Sequence, residues 1–134
     1  MKNGSCMRAK QTLARDRNVW VRVQRVVDGD TIELDNGQRV RMIGIDAPET
    51  GQLGANGATQ FVKGEVEGKD VWLESDGDDT SAGERLRRYV WLQQPTKPVD
   101  ANQIRRYMLN ALLILNRFAR ADGRHKYDAL FQRL

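Results

Sequence analysis

The stretch "DGDTIELDNGQRVRMIGIDAPET", residues 28–50, decides the fold of this chain. It contains two apolar runs, "TIEL" and "RVRMIGI", which flank the Asn36-Gly37 pair. An Asn-Gly pair between two such runs is the strongest short-range signal for a β-hairpin. The preceding run, "VWVRVQRVV", alternates apolar and polar side chains as a half-buried strand does, and the Asp28-Gly29 turn joins it to the hairpin. The three runs together predict an antiparallel meander.

Three carboxylates, Asp30, Asp46 and Glu49, lie at the ends of these predicted strands. Calcium takes about six to eight oxygen ligands, which carboxylates on rigid strands supply, whereas an all-oxygen set does not favour zinc or copper. An EF-hand is excluded because its D-x-D-x-D-G loop is absent. The Asp28-Gly29-Asp30 segment is also compatible with an ordinary polar turn. The pattern therefore leaves two interpretations open, a metal or phosphate site and a set of solvated turns.

Downstream of this stretch the sequence alternates between helical and extended patterns. "ATQFVKGEVEGK" places Ala58, Phe61, Val62 and Val66 on one helical face. "DVWLES" and "ERLRRYVWL" read as a fourth and a fifth strand, "APETGQLGANGA" and "QQPTKPVDANQ" as loops, and "LNALLILNRFARA" and "KYDALFQRL" as C-terminal helices. Five short strands with about three α-helices predict a small β-barrel of the α+β class.

The composition is that of one globular domain with an uneven distribution of charge. The chain has 134 residues, of which 40% are hydrophobic and 30% are charged, and no apolar run reaches the length of a membrane span. Residues 1–17 carry five basic and one acidic residue, residues 18–84 carry six and fourteen, and residues 85–134 carry eleven and three. An acidic half beside a basic half suits a cation site next to a polyanion groove, although charges that only cover solvated faces give the same totals.

We expect residues 1–17 to form a flexible basic arm and residues 18–134 to form the folded domain. The arm has no apolar segment of the kind that a signal peptide contains, which leaves a cytoplasmic protein and a processed secreted chain both open. Cys6 is the only cysteine, so no internal disulfide and no Cys/His zinc site is expected. We expect no membrane partner and favour a monomer.

An ordered set of motifs in this chain resembles the staphylococcal nuclease (thermonuclease) family. The set consists of "DGDT", an arginine followed by "DAPE" in the pattern R-x-x-x-x-D-x-P-E, and the later basic strand "ERLRRYVWL". The resemblance extends roughly from Val19 to Leu134. It implies a five-stranded OB-fold (Greek-key) β-barrel with three helices. It also implies a calcium-dependent phosphodiesterase that cuts DNA and RNA on the 5′ side of the phosphorus.

The resemblance also assigns roles to the carboxylates of the opening stretch. It implies that Asp30 and Asp46 bind Ca²⁺ directly and that the carbonyl of Ala47 adds a third protein oxygen. It implies that Glu49 holds the water that attacks phosphorus, and that it either deprotonates this water as a general base or only orients it. Taken by itself, Glu49 is also compatible with a solvated loop carboxylate.

Two arginines are implied as phosphate ligands, because a guanidinium matches phosphate oxygens with two parallel hydrogen bonds. Arg41 is the first of them. It stands five residues before Asp46, so the two side chains would point to opposite sides of a regular strand, and we expect a bend at Gly44 to reconcile them.

Arg85 is the second implied arginine, and here the chain departs from the family pattern. Gly83-Glu84 stands where tyrosine-glycine is usual, and a shift of the alignment would give the role to a following arginine instead. We expect His125, the only histidine, to lie on the surface, although it or its neighbouring tyrosine is placed to stack on a base. The remaining predicted nucleic-acid contacts are Arg87, Arg88, Lys126 and Tyr127.

Two other classes of function stay open on sequence grounds. A non-catalytic OB-fold module would bind DNA or RNA without cutting it, and such modules tend to lose the carboxylate set that this chain has. A protein-interaction module would use the acidic loop from Glu74 to Asp79.

Overall fold

A closed barrel of five strands forms the centre of the structure, a computed structural model that describes residues 18–77, 85–123 and 125–134. Two predicted features lie outside the described residues. These are the basic arm, residues 1–17, and the Gly83-Glu84 pair at which the chain departs from the family pattern. In chain order the strands are β1 (Asn18–Asp28), β2 (Thr31–Leu34), β3 (Arg39–Met42), β4 (Ile45–Asp46), β5 (Asp70–Glu74), β6 (Leu86–Trp91) and β7 (Arg120–Ala121).

The barrel order is β1-β2-β3-β6-β5, with β1 also pairing with β5 to close the ring. Neighbouring strands are antiparallel except β3 and β6, which run parallel from the Val40–Leu86 pair onward. The predicted α+β class and five-stranded barrel are confirmed, and the arrangement is consistent with an OB-fold.

Strand β1 is long enough to pair with two neighbours because a bulge changes its register midway. Val21 and Val23 point into the core, as the alternation predicted. The pairing with β2 then shifts between Val23 and Arg25, so that Val26 becomes the next buried residue. Such a bulge bends a strand and increases its twist, which a barrel wall requires.

Gly44 divides the "RVRMIGI" run, which the pattern predicted as a single strand. Its φ of 78° lies in the left-handed region, so β3 ends at Met42 and a separate strand, β4, follows. Strand β4 leaves the barrel and pairs with β7, with Asp46 opposite Arg120.

Within the described residues, four helices pack around the barrel: α1 (Ala55–Val66), α2 (Ala101–Tyr107), α3 (Leu109–Leu115) and α4 (Asp128–Phe131). Helix α1 buries the predicted apolar face, although Phe61 on that face is only partly covered. None of the helices in the described part of the chain is long and apolar enough to cross a membrane.

Three predicted boundaries were wrong. Helix α1 begins three residues earlier than expected, after Gly54 in a left-handed conformation. Helix α2 starts inside the predicted proline-bearing loop, because the side chain of Asp100 caps it by accepting from the Gln103 amide (2.9 Å). The predicted helix "LNALLILNRFARA" ends at Leu115, and its last two residues form β7 instead.

Candidate active site

Asp30 lies at the turn between β1 and β2, where several donors hold a buried carboxylate. Its amide donates to Asp28 Oδ1 (3.1 Å), its Oδ1 accepts from the Thr31 hydroxyl (3.1 Å), and its Oδ2 accepts from the Ala47 amide (3.2 Å). The side chain is only 10% exposed. Burial raises the pKa of the Asp30 carboxyl, while Arg41 acts in the opposite direction. The carboxylate therefore has one fixed orientation beside a cation.

Arg41 bridges Asp30 and Asp46 across the bend at Gly44. Its Nη2 lies 3.4 Å from Asp30 Oδ2 and 4.0 Å from Asp46 Oδ1. Its Nη1 donates to the carbonyl oxygen of Met42 (2.6 Å), which fixes the guanidinium. Because the chain turns at Gly44, the side chains of Arg41 and Asp46 lie on the same side of the chain, as we expected from a bend at that glycine. The Asp46 side chain is 45% exposed, so this pair opens to solvent on one side.

Glu49 lies in the exposed loop that follows β4, three residues beyond Asp46. Its carboxylate makes no hydrogen bond or ion pair within the described part of the chain. Its backbone is held on both sides by Gln52, because Gln52 Oε1 accepts from the Glu49 amide (2.7 Å) and the Gln52 amide donates to the Glu49 carbonyl oxygen (2.9 Å). The loop therefore fixes the main chain of Glu49 and leaves its carboxylate available.

Three predicted site arginines, two in β6 and one directly before it, have different surroundings. Arg87 is the register partner of Arg41, so the two lie on the same face of the sheet, and Arg85 stands directly before the start of β6. Arg85 and Arg87 are both partly buried. Arg88 points the other way, is completely buried, and donates from Nη1 to the Arg87 carbonyl oxygen (2.8 Å). Its position does not favour the predicted contact with nucleic acid.

Lys126 and Tyr127 converge on a buried carboxylate, Glu74. Lys126 Nζ lies 2.7 Å from Glu74 Oε2, and the Tyr127 hydroxyl donates to the same oxygen (2.8 Å). The indole of Trp91 donates to Glu74 Oε1 (2.8 Å). The polar atoms of these two predicted nucleic-acid contacts are therefore engaged in holding the C-terminal segment to the barrel.

His125 is buried, so the expectation of a surface histidine was wrong. Its side chain is 2% exposed, and its ring packs against Phe131 and over Gly44. Nδ1 accepts from the Tyr127 amide (3.3 Å) and lies 2.9 Å from the Tyr89 hydroxyl. Burial lowers the pKa of His125, with Asp128 opposing this effect.

Sequence reasoning missed Arg120, which lies beside the candidate site. Its Nη2 lies 3.9 Å from Asp46 Oδ2, whereas Arg41 approaches the other carboxylate oxygen, Oδ1. The apolar pattern had placed Arg120 in a continuous helix. Asn116 was the available signal, because asparagine often marks the end of a helix.

Comparison with curated proteins finds similarity to nucleases. The chain is 42% identical over 79 residues to a thermonuclease from Staphylococcus intermedius, covering 52% of this chain and 47% of that protein. A thermonuclease from Staphylococcus hyicus is 39% identical over 80 residues, covering 53% and 47%. An uncharacterized endonuclease from Escherichia coli O157:H7 is 45% identical over 53 residues, covering 37% and 35%.

No family model matches the sequence. The chain spans about half the length of the thermonucleases that it matches. Within that extent, the similarity agrees with the barrel and with the motif set described above. Together they confirm the resemblance of this chain to the staphylococcal nuclease family.

Proposed function

We propose that this protein is a calcium-dependent nuclease that hydrolyses phosphodiester bonds of DNA or RNA. One observation carries the proposal: a single guanidinium nitrogen of Arg41 lies within 4.0 Å of both Asp30 and Asp46. Two carboxylates and a guanidinium that could bind phosphate thus meet at one point, which opens to solvent on the Asp46 side. The similarity to proteins named as nucleases supports the same reaction class.

The residues fit a calcium ion in the chemistry of their donors. Asp30 and Asp46 offer hard oxygen ligands from the ends of rigid strands, which is what calcium prefers. No group of three or more acidic, histidine or cysteine residues that could hold a metal occurs among the described residues. Water, substrate and the carbonyl of Ala47 would therefore complete the coordination, and the bound ion would supply Lewis acidity for the phosphate and the attacking water.

The protein's own side chains have separate tasks in this proposal. Arg41 binds phosphate oxygens and stabilises the negative charge that develops in the transition state. Arg85 gives the second phosphate contact, and its alternative is Arg87, the register partner of Arg41. Glu49 takes a proton from water as the oxygen attacks phosphorus, since its carboxylate is exposed and fixed at its backbone.

Cleavage of single-stranded and double-stranded DNA and of RNA, measured with calcium and then with a chelator, tests the proposal. We expect cleavage only with calcium. Asp46→Ala should slow it by at least about a hundredfold, because even outer partners of a metal site contribute about 10–100-fold. Glu49→Gln should lower kcat by about 10²–10⁴-fold with KM nearly unchanged.

Asp70→Ala is the matched control, because Asp70 is an exposed acid on β5 that pairs with Arg22 rather than with the site. It should cleave at the parent rate. If the parent binds nucleic acid but cleaves nothing in calcium, the protein is a non-catalytic binding module and the nuclease proposal fails.

A further inference from the structure

A groove of about 530 Å³ lies beside Asp46, which is one of its lining residues, whereas Arg41 does not line it. One wall is the loop after β4, and the other is the turn that follows α3. Its volume is in the range of small-ligand sites, about 300–1,000 Å³. The residues that line it are Asp46, Ala47, Pro48, Gln52, Leu53, Arg117, Phe118, Ala119 and Arg120.

Arg117 occupies a position on the groove wall that the fold would give to glycine. Its φ is 65°, the only positive φ of a non-glycine residue in the described part of the chain. The Arg117 amide donates to the Ile114 carbonyl oxygen (3.0 Å) and the Phe118 amide donates to that of Leu113 (2.8 Å), which is the Schellman pattern of a helix end. Glycine is usual at this position because an L side chain is strained there. A strained residue retained in such a position points to a use for its side chain.

The side chain of Arg117 is free for a ligand. The residue is exposed, and its guanidinium makes no ion pair or side-chain hydrogen bond with the rest of the described chain. Arg120 stands three residues further on and is 85% exposed, and its one ion-pair partner among the residues that the structure describes is Asp46, at 3.9 Å. Two exposed guanidiniums thus line a groove that starts at a proposed metal ligand.

The groove also has apolar surface of the kind that contacts a nucleobase. Leu53 is 99% exposed at the edge of the loop wall. Phe118 lies on the opposite wall, and its ring is held by stacking on Phe61, with centroids 5.0 Å apart. Fixed aromatic and apolar side chains beside cationic ones are the elements of a single-strand binding site.

We infer that this groove binds the nucleotide next to the scissile phosphate in an unpaired strand of DNA or RNA, an inference that rests on the proposed nuclease function. Arg117 and Arg120 contact backbone phosphates, and Phe118 and Leu53 contact the base. The groove therefore extends the substrate site beyond Asp46 and favours substrates with at least one nucleotide on that side.

Binding of a fluorescent single-stranded oligonucleotide to Arg117→Gly tests this inference. We expect affinity to fall about tenfold, as a hydrogen bond to a charged group would predict. The slope of log affinity against log salt should become shallower by about 0.7. The midpoint of denaturant unfolding should rise, because glycine relieves the left-handed strain. If Arg117 had only a structural role, its replacement by glycine would not weaken oligonucleotide binding while it raises the stability of the fold.

Arg117→Asn provides a second variant, since asparagine also tolerates the left-handed conformation. Arg105→Ala is the charge-matched control, because Arg105 is exposed on α2, which does not line the groove. Loss of affinity in both Arg117 variants, with none in Arg105→Ala, supports the inference. Unchanged affinity in both Arg117 variants overturns it.

The same experiments separate this inference from the nuclease proposal. If the parent binds the oligonucleotide through Arg117 but cleaves nothing in calcium, the groove stands and the catalytic proposal fails. If the parent cleaves and the Arg117 variants bind like the parent, the catalytic proposal stands and the groove inference fails.

Discussion

Arg41 combines charge and shape in a way that a lysine cannot reproduce. Its two terminal nitrogens are committed in different directions, one to the Met42 carbonyl and the other toward two carboxylates. The planar guanidinium makes both contacts at once, whereas an ammonium is a compact point charge.

We therefore expect Arg41→Lys to lower the cleavage rate almost as much as Arg41→Ala, by about 10²–10³-fold, which is the usual contribution of a donor that stabilises the transition state. Single-turnover rates and the salt dependence of binding for both variants check this. Recovery of most of the activity by lysine would show that Arg41 contributes only its charge. The same pair of substitutions at Arg85 and Arg87 identifies the second phosphate ligand.

Gly44 meets two independent requirements at once. Its φ of 78° lies in the left-handed region that favours glycine, and a Cβ there would overlap Nε2 of His125. The bend that brings Arg41 to Asp46 thus depends on a contact with a residue 81 positions away in the sequence.

We expect Gly44→Ala to lower the free energy of unfolding by about 3 kcal/mol or more, since backbone strain and overpacking each cost about 1–3 kcal/mol. Gly37→Ala is the control, because Gly37 has a φ of 87° and no atom of the described residues lies within 4 Å of its Cβ position. That variant should lose only about 1 kcal/mol. Denaturant unfolding measures both, and equal losses would contradict the role of His125.

Whether a feature of the site was predictable depends on how far apart its residues lie in the sequence. The spacing of Arg41, Gly44 and Asp46 predicted their relation because all three lie within six residues. The burial of His125 and the approach of Arg120 to Asp46 were not predictable, because they depend on tertiary contacts between distant segments. Local pattern carries no information about which surface a later turn will cover.

At the scale of elements, α1 is positioned by one glycine and weakened by another. Gly29 lies under the helix, and a Cβ on it would come within 2.7 Å of the Ala58 Cβ and 2.9 Å of the Ala47 Cβ. Gly64 lies on the exposed face of α1, and within the part of the chain that the structure describes no atom comes within 4 Å of its Cβ position. The first glycine permits close packing beside Asp30, whereas the second only adds conformational freedom to the unfolded chain.

We expect Gly64→Ala to raise the free energy of unfolding by about 0.5–1 kcal/mol, as this exchange does in helix interiors. Gly29→Ala should lower it by about 1–3 kcal/mol through overpacking and should also reduce cleavage, because the Asp30 turn must move. Thermal or denaturant unfolding of the two variants checks the signs. Stabilisation by Gly29→Ala would contradict the packing argument.

The elements themselves were largely predictable, with one exception that matters for the site. The meander, α1 and the later strands follow from alternation, turn residues and helical periodicity. The end of the predicted helix "LNALLILNRFARA" does not follow from these patterns. Its last residues, "NRFARA", continue the apolar periodicity, but their backbone groups form other hydrogen bonds. The amides of residues 117–119 bond back to the end of α3, and Arg120–Ala121 pairs with β4 instead.

At the scale of the whole molecule, His125 links the C-terminal segment to the barrel in its neutral form. Burial lowers its pKa below the ordinary value, Asp128 and Asp76 oppose the shift, and Arg87 adds to it. The unfolded chain therefore takes up this proton at a higher pH than the folded protein. The contribution of neutral His125 to the free energy of unfolding is complete above the pKa that His125 has in the unfolded chain, about 6.5. It is lost as the pH falls from that value toward the lower pKa of His125 in the folded protein.

We expect the denaturant midpoint of the parent to fall between about pH 7.5 and about pH 5.5 by more than that of His125→Asn, which removes this titration. Both proteins should be less stable at acid pH if other groups contribute, so the difference between their slopes is the measured quantity. Parallel slopes would show that His125 does not contribute to the acid sensitivity.

The parallel pairing of β3 with β6 has a consequence for how the molecule folds. Strands β1, β2 and β3 meet through short turns, but Val40 reaches Leu86 only after the whole of α1 and β5 has been traversed. Contacts between segments so far apart are slow to form, because a long loop must close before any pairing compensates its entropy. We therefore expect the hairpin that carries Asp30 and Arg41 to form early and barrel closure to limit the folding rate. The carboxylates would then be in place before the strand that carries Arg87 arrives beside them.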